Sequence, residues 1–234
     1  MARKPSHSLQ CGLTKAETIA GWCYLPFYLV LLSVIIQYAC SWLSIPLTEL
    51  TLNIVYFVIN LTVVLIIFRR FLRQRFFGAS FWLFVQAVIL GFVLYYASTY
   101  AIDLIVNLLG GTLTLYNNDT VAGLVDAGYY VMMFITIILA PIIEETLVRG
   151  LVFGSIHSVS RLMAYIVSCV VFTLMHSWQY FGAYPLGSVL LSCLPYIPAS
   201  IALAWVYEKS GTIWASITLH ALINAISFGV LSLG

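Results

Sequence analysis

Residues 129–153 read YYVMMFITIILAPIIEETLVRGLVF, and this stretch decides the fold. It carries Glu144, Glu145 and Arg149 and no other charged side chain. Because about 20 consecutive apolar residues cross a bilayer as a helix, the stretch predicts a transmembrane helix. An ionised carboxylate at bilayer depth is costly, so it is usually paired, turned toward protein and functional. Two adjacent glutamates therefore predict a polar reaction site inside a membrane.

The composition extends the membrane prediction to the whole chain. It is 62% hydrophobic and only 8% charged, whereas soluble domains are about 25% charged. Long apolar runs favour helices over a barrel, whose strands alternate polar and apolar residues. We predict an all-α, polytopic integral membrane helical bundle with about seven transmembrane helices. The expected spans are residues 19–43, 51–68, 81–109, 129–153, 163–180, 188–207 and 212–231.

The basic residues predict the orientation of this bundle. When seven spans are threaded from a cytoplasmic N-terminus, all ten basic residues fall on or near the cytoplasmic side. This asymmetry follows the positive-inside rule, so we expect a cytoplasmic N-terminus. The cluster at residues 69–75 is interpreted as a topology anchor that can also contact anionic lipids. The net charge of +2 does not indicate nucleic acid as a partner. The basic residues are Arg3, Lys4, Lys15, Arg69, Arg70, Arg73, Arg75, Arg149, Arg161 and Lys209.

Polar residues divide the chain into a framework part and a working part. Residues 1–18 form the expected cytoplasmic N-terminal segment, residues 19–126 the framework helices and residues 127–231 the catalytic part. The first three spans carry few ionisable groups, whereas the last four carry both adjacent glutamates and two of the four histidines. The longest polar connection, residues 110–128, could be a lid or an interfacial helix.

The spacing of the charged residues assigns them different roles. Glu145 and Arg149 are four residues apart, so they share one helix face and can pair. We expect this pair to act as a structural clamp near the cytoplasmic edge, with Arg149 snorkelling toward water. Glu144 points about 100° away around the helix and is left without a local partner. Pro141 should kink the helix beside the pair and could admit water.

Two further spans carry groups suited to hydrolysis. His176 lies in the fifth span, and His220 and Asn224 lie four residues apart in the seventh. A carboxylate such as Glu144 among apolar neighbours can act as a general base toward water, and a histidine can share that task. A His/Asn pair can donate hydrogen bonds to the oxyanion of a tetrahedral intermediate.

Other roles for these side chains remain open at this point. Two histidines and a carboxylate are also a common catalytic zinc set, so Glu144, His176 and His220 could instead bind Zn²⁺. A histidine inside a membrane can also be a simple hydrogen bonder between helices.

The three motifs resemble those of the CPBP intramembrane proteases. The segment from Glu144 to Arg149 resembles the EExxxR motif, the segment from Phe172 to His176 resembles the second motif, and His220 with Asn224 resembles the third. The family contains type 2 CAAX prenyl endopeptidases and bacterial Abi proteins linked to bacteriocin processing and self-immunity. The similarity covers about residues 127–230.

The resemblance implies an intramembrane endopeptidase. Glu144 and His176 would activate water, His220 and Asn224 would stabilise the oxyanion, and Glu145 and Arg149 would hold the first motif in shape. Both a metal-dependent and a metal-free glutamate mechanism have been described for the family. The implied substrate is a membrane-associated or lipidated peptide or protein, and the implied location is a bacterial plasma membrane.

Two other function classes compete with the protease prediction. In a transporter or proton-coupled channel, buried carboxylates and histidines serve as relay groups. The sequence shows neither the repeat symmetry nor the paired broken helices typical of transporters. A noncatalytic immunity or scaffold protein that binds a peptide would keep the fold but would not need an unpaired Glu144.

Overall fold

The computed structural model describes residues 12–77 and 80–231. Within these ranges the chain forms helices and turns, and it contains no β-strand. Seven helices in these two ranges are long and apolar enough to cross a membrane, which confirms the predicted multi-pass helical bundle. The largest differences from the predicted ends are at Lys15, where 19 was expected, and at His157, where 153 was expected. The seven are α1 (Lys15–Trp42), α2 (Glu49–Ile67), α4 (Phe81–Leu108), α5 (Ala127–His157), α6 (Arg161–Tyr180), α7 (Leu186–Ser210) and α8 (Ile213–Val230).

Shorter helical pieces complete the bundle. Helix α3 (Arg69–Phe77) follows α2 and contains the basic cluster. The polar connection expected at residues 110–128 becomes helical from Tyr116 onward and bends at Gly128 as it enters α5. The segment is therefore largely helical, and an interfacial position for it stays a prediction. Helix α7 is interrupted between Leu186–Cys193 and Tyr196–Ser210, where Pro195 cannot donate a backbone hydrogen bond.

Helix α5 is not a regular α-helix around the glutamates. Wide π-helical turns cover Ile135–Leu139 and Thr146–Phe153, and the short α-helical segment Ala140–Glu145 lies between them. Pro141 stands at the start of this segment, where it lacks the N–H that would close the preceding turn. Wide turns of this kind are frequent at functional sites. The glutamates therefore lie at the end of a short regular segment between two irregular ones.

Helix α3 packs against the end of the bundle where α1 and α8 begin. Phe71 and Leu72 are buried. The backbone N–H of Phe71 donates to the Glu17 carboxylate at 2.9 Å, and the Trp214 indole donates to the Leu72 carbonyl at 3.0 Å. Gly150 of α5 faces this helix, and a Cβ at that position would lie 2.8 Å from the Phe71 ring. The absence of a side chain at Gly150 therefore allows α3 to approach α5.

We predict that Gly150→Ala destabilises the protein because the added methyl group displaces the Phe71 ring. Overpacking of this kind costs about 1–3 kcal/mol. The measurement is the melting temperature of the purified protein in detergent. Gly187→Ala is the matched control, since nothing lies within 4 Å of the corresponding Cβ. An equal melting temperature for both variants would contradict the close approach.

Candidate active site

Three helices bring one carboxylate and two imidazoles together. The Oε2 atom of Glu144 on α5 lies 3.7 Å from Nε2 of His176 on α6 and 3.9 Å from Nε2 of His220 on α8. Both distances are longer than a direct hydrogen bond, which is the separation at which a bridging water is expected. Glu144 Oε2 is buried and has no hydrogen-bond partner among residues 12–77 and 80–231. The structure thus places three of the predicted residues around one small polar space.

Glu145 is fully buried, and both oxygens of its carboxylate have polar partners. Its carboxylate accepts hydrogen bonds from Arg149 Nη1 at 2.9 Å and from the Ser216 hydroxyl, and it contacts His220 Nδ1 at 2.8 Å. These partners come from α5 and α8. The two adjacent glutamates therefore have different surroundings, as their spacing predicted.

The expectation that Arg149 snorkels toward water is wrong. Its side chain has no exposed surface. Nη2 donates to the carbonyl and the hydroxyl of Ser200 on α7, each at 3.2 Å, and the guanidinium lies 4.2 Å from the centre of the Phe172 ring. A buried cation is tolerated only when such partners compensate for its lost hydration. Arg149 therefore ties α5 to α7 within the bundle, where its side chain is closed off from the surface.

The hydrogen bonds at Nδ1 determine how the two histidines face Glu144. His176 Nδ1 lies 2.9 Å from the Phe172 carbonyl, and His220 Nδ1 lies 2.8 Å from the Glu145 carboxylate. Carbonyl and carboxylate oxygens only accept, so each Nδ1 carries a proton, and each Nε2 has a lone pair as long as its ring is neutral. Lone pairs from Glu144, His176 and His220 therefore converge. This arrangement requires a hydrogen from water, a shared proton or a cation between them.

Zinc is the cation that these donor types suit. Its ligands must lie about 2.0–2.2 Å from one point. In the described part of the chain, no group of three or more His, Cys, Asp or Glu residues is placed to hold a metal ion. The three donors therefore do not fit zinc as they stand, and Zn²⁺ binding stays a prediction.

Asn224 lines the same cavity, and its side-chain amide already donates one hydrogen bond to another helix. Its Nδ2 donates to the Thr136 carbonyl on α5 at 2.8 Å, so the side chain links α8 to α5. The amide nitrogen carries a second N–H that could serve an oxyanion. The oxyanion role of Asn224 therefore stays a prediction.

Residues from outside the recognised motifs complete the site. The Tyr28 hydroxyl on α1 makes a long hydrogen bond of 3.4 Å to Glu144 Oε1, and the Tyr56 hydroxyl on α2 donates to the Tyr28 carbonyl. Tyr196, at the break in α7, stacks on His176 with ring centroids 4.6 Å apart. A tyrosine in an apolar span gives no signal of such a role. The first two spans therefore contribute contacts that the sequence could not indicate.

A cavity of about 580 Å³ extends from the three convergent groups. This volume is within the range of about 300–1,000 Å³ found for ligand sites. Its walls combine aromatic rings, such as Tyr95 and Phe228, with side-chain amides, such as Asn53 and Gln179. The polar space around Glu144 is thus connected to a compartment large enough for a substrate segment.

A comparison with known proteins finds a family match for the second half of the chain. Residues 126–226 match the family model described as Type II CAAX prenyl endopeptidase Rce1-like. No solved structure matches this chain.

Curated relatives come from Lactococcus lactis. The UPF0177 protein YxdF of subsp. lactis strain IL1403 is 32% identical over 90 residues, which cover 37% of this chain and 42% of that protein. The UPF0177 protein YaiF of the same strain is 35% identical over 94 residues, covering 39% of this chain and 36% of that protein. A UPF0177 protein in the abiGi 5' region of subsp. cremoris is 36% identical over 96 residues, covering 41% of this chain and 36% of that protein.

The chain spans about two fifths of the length of the curated relatives it matches. All six residues predicted for the site, from Glu144 to Asn224, lie inside the stretch that the family model covers. The resemblance expected from the three motifs is therefore confirmed: residues 126–226 of this multi-pass membrane protein match the Rce1-like family model.

Proposed function

We propose that this protein is an intramembrane endopeptidase that hydrolyses a peptide bond in a membrane-associated or lipidated peptide or protein. The observation that carries the proposal is the buried, unpartnered Oε2 of Glu144, which faces two imidazole Nε2 atoms at the end of the cavity. A structural carboxylate at this depth would be paired, as Glu145 is. The match to the Rce1-like family supports the same reaction class.

In the proposed reaction, Glu144 and His176 activate one water molecule. The water lies between Glu144 Oε2 and His176 Nε2, and Glu144 removes a proton as the oxygen attacks the scissile carbonyl carbon. The tetrahedral intermediate then collapses and its C–N bond breaks. The proton returns to the leaving nitrogen, so one water is consumed and a carboxylate and an amine are formed.

His220 and Asn224 are proposed to stabilise the oxyanion of that intermediate. A protonated His220 would donate from Nε2, and its positive charge would be supported by the Glu145 carboxylate at Nδ1. The second N–H of the Asn224 amide would donate as well. Donors that are already oriented by the protein are effective because they need little reorganisation when charge develops.

A second candidate for water activation is a Zn²⁺ ion held by Glu144, His176 and His220. The convergence of three lone pairs favours it, although the groups would have to move closer together. A bound metal would supply Lewis-acid activation of water. Elemental analysis of purified, active protein separates the candidates: stoichiometric zinc supports the metal site, and full turnover with far less than one metal per chain supports the glutamate mechanism.

We predict that Glu144→Gln abolishes peptide cleavage while the protein still inserts and keeps its melting temperature. The amide cannot accept the proton from water. The assay uses quenched-fluorescent peptides with an apolar core, added to the protein in liposomes. Asp103→Asn is the control, because Asp103 is an exposed carboxylate that does not line the cavity. Full activity of Glu144→Gln would overturn the assignment.

We predict that Arg149→Ala lowers protein stability strongly, because it leaves the Glu145 carboxylate buried without its cation. Breaking a buried pair in this way costs about 3–5 kcal/mol. Membrane abundance and melting temperature report the loss. Arg73→Ala is the matched control, since Arg73 is exposed. Normal stability combined with a specific loss of turnover would show that Arg149 acts in the chemistry and does not act as a clamp.

We predict that Tyr28→Phe lowers kcat roughly tenfold, which is the scale of one lost hydrogen bond to a charged group, and changes KM little. The hydroxyl orients Glu144 through Oε1, so its loss lets the carboxylate turn away from the histidines. Tyr24→Phe is the control on the same helix, because the Tyr24 hydroxyl donates to Asn60 outside the cavity. Equal kcat values for the two variants would remove Tyr28 from the site.

A further inference from the structure

The cavity opens at one end of the helical bundle. Beyond Glu144, its lining continues to the end where α1 finishes and α2 begins. The side chains there include Gln37, Glu49 and Asn53. Asn118 and Gln179 line it from the segment before α5 and from the end of α6. The lining includes no residue of α3 and none from the turns that join α5 to α6 and α7 to α8.

The basic residues lie at the opposite end of the bundle. Lys15 begins α1, Arg161 begins α6 and Lys209 is near the end of α7. Arg69, Arg70 and Arg73 belong to α3, and these three side chains are exposed. Arg149, the remaining basic side chain that the structure describes, is buried among the helices and paired with Glu145. By the positive-inside rule, the α3 end is cytoplasmic and the open end of the cavity is outside.

The charges of the cavity are all of one sign. Its lining contains the carboxylates of Glu49 and Glu144, and no lysine or arginine is among the described residues that form it. Glu49 is exposed at the open end. An anionic group, such as the C-terminal carboxylate of a substrate, would find no cation in this space. A cationic group near Glu49 would be attracted.

The uncharged walls suit an extended peptide. Aromatic side chains, such as Tyr56 and Trp178, can pack against apolar residues. Amides, such as Asn53 and Gln179, can pair with backbone N–H and C=O groups, which must find partners when they leave water. A lipid chain would use the apolar walls but would offer the amides no additional hydrogen bond, and among the described residues the Asn53 amide has only the Glu49 carbonyl as its partner.

We infer that the active site receives its peptide from the extracytoplasmic side, as an apolar segment flanked by positive charge that contacts Glu49. This inference rests on the proposed protease function for its last step, the cleavage. Access and peptide binding do not depend on catalysis. They can therefore be tested in the inactive Glu144→Gln variant.

Access is tested by thiol labelling of the full chain in intact cells. In a variant whose native cysteines are replaced by serine, Asn118→Cys places a thiol at the cavity mouth and Lys209→Cys places one at the opposite end. A membrane-impermeant maleimide should label Asn118→Cys in intact cells and Lys209→Cys only after permeabilisation. The reverse pattern would overturn the inference.

Peptide binding is tested by protection of the same thiol. The probes are two synthetic peptides with one apolar core and either Lys-Lys or Glu-Glu flanks. In the Glu144→Gln background, the Lys-flanked peptide added outside should slow labelling of Asn118→Cys more than the Glu-flanked one. Equal protection by both peptides, or protection by neither, would overturn the peptide part. Protection by phospholipid alone would identify the cavity as a lipid site.

The contribution of Glu49 is tested with an active chain in right-side-out vesicles. Glu49→Gln should raise KM for the Lys-flanked peptide roughly two- to fivefold, as expected for one exposed charge pair, and leave kcat unchanged. Asp103→Asn removes an exposed carboxylate outside the cavity and should change neither constant. Cleavage only in inverted vesicles would overturn the access inference and leave the protease proposal intact. No cleavage in either orientation, with thiol protection as expected, would overturn the protease proposal alone.

Discussion

The buried contact between Glu145 and Arg149 is the interaction on which the rest of the site depends. Neither side chain has exposed surface, so each charge is compensated only by protein groups. Those groups are Ser200 on α7, Ser216 and His220 on α8, and the Phe172 ring on α6. One ion pair on α5 therefore joins four helices. Because a half-satisfied buried pair is strongly destabilising, the helix arrangement that keeps every one of these contacts is favoured over arrangements that break them. That arrangement turns the preceding residue, Glu144, toward the two imidazoles.

The same network connects the buried Glu145–Arg149 pair to the groups that face the cavity. His220 belongs to both, since its Nδ1 lies against Glu145 and its Nε2 faces Glu144. The contact with Glu145 thus sets the orientation of a ring that also lines the cavity. Glu144 receives its own support from Tyr28 on α1, a helix outside the matched family region. Helices from the first half of the chain therefore supply one wall of the cavity and a hydrogen bond to its central carboxylate.

Several features could be predicted from residue patterns because they depend on local physics. Hydropathy located all seven spans, since the length of an apolar run sets whether a helix can cross a bilayer. The four-residue interval between Glu145 and Arg149 predicted their contact, because such residues share a helix face. The depth of Arg149 was predicted wrongly. On an isolated helix, an arginine has no acceptors from other helices to compensate for its lost hydration. Arg149 finds such acceptors on Ser200, which is 51 residues away in sequence.

The sequence by itself determined the membrane class, the number of spanning helices in the described part of the chain and the contact between Glu145 and Arg149. These follow from composition, run length and helical spacing, which need no knowledge of neighbouring helices. Only the tertiary structure decided that Tyr28 contacts Glu144, that Asn224 is bound to the Thr136 carbonyl, and that the cavity opens at the end opposite the basic residues. Each of these features depends on which helices pack together. Each also depends on how the wide π-helical turns in α5 change the direction of the side chains that follow them. Contacts between distant helices leave no periodic pattern in a single sequence, so they appear only when the bundle is assembled.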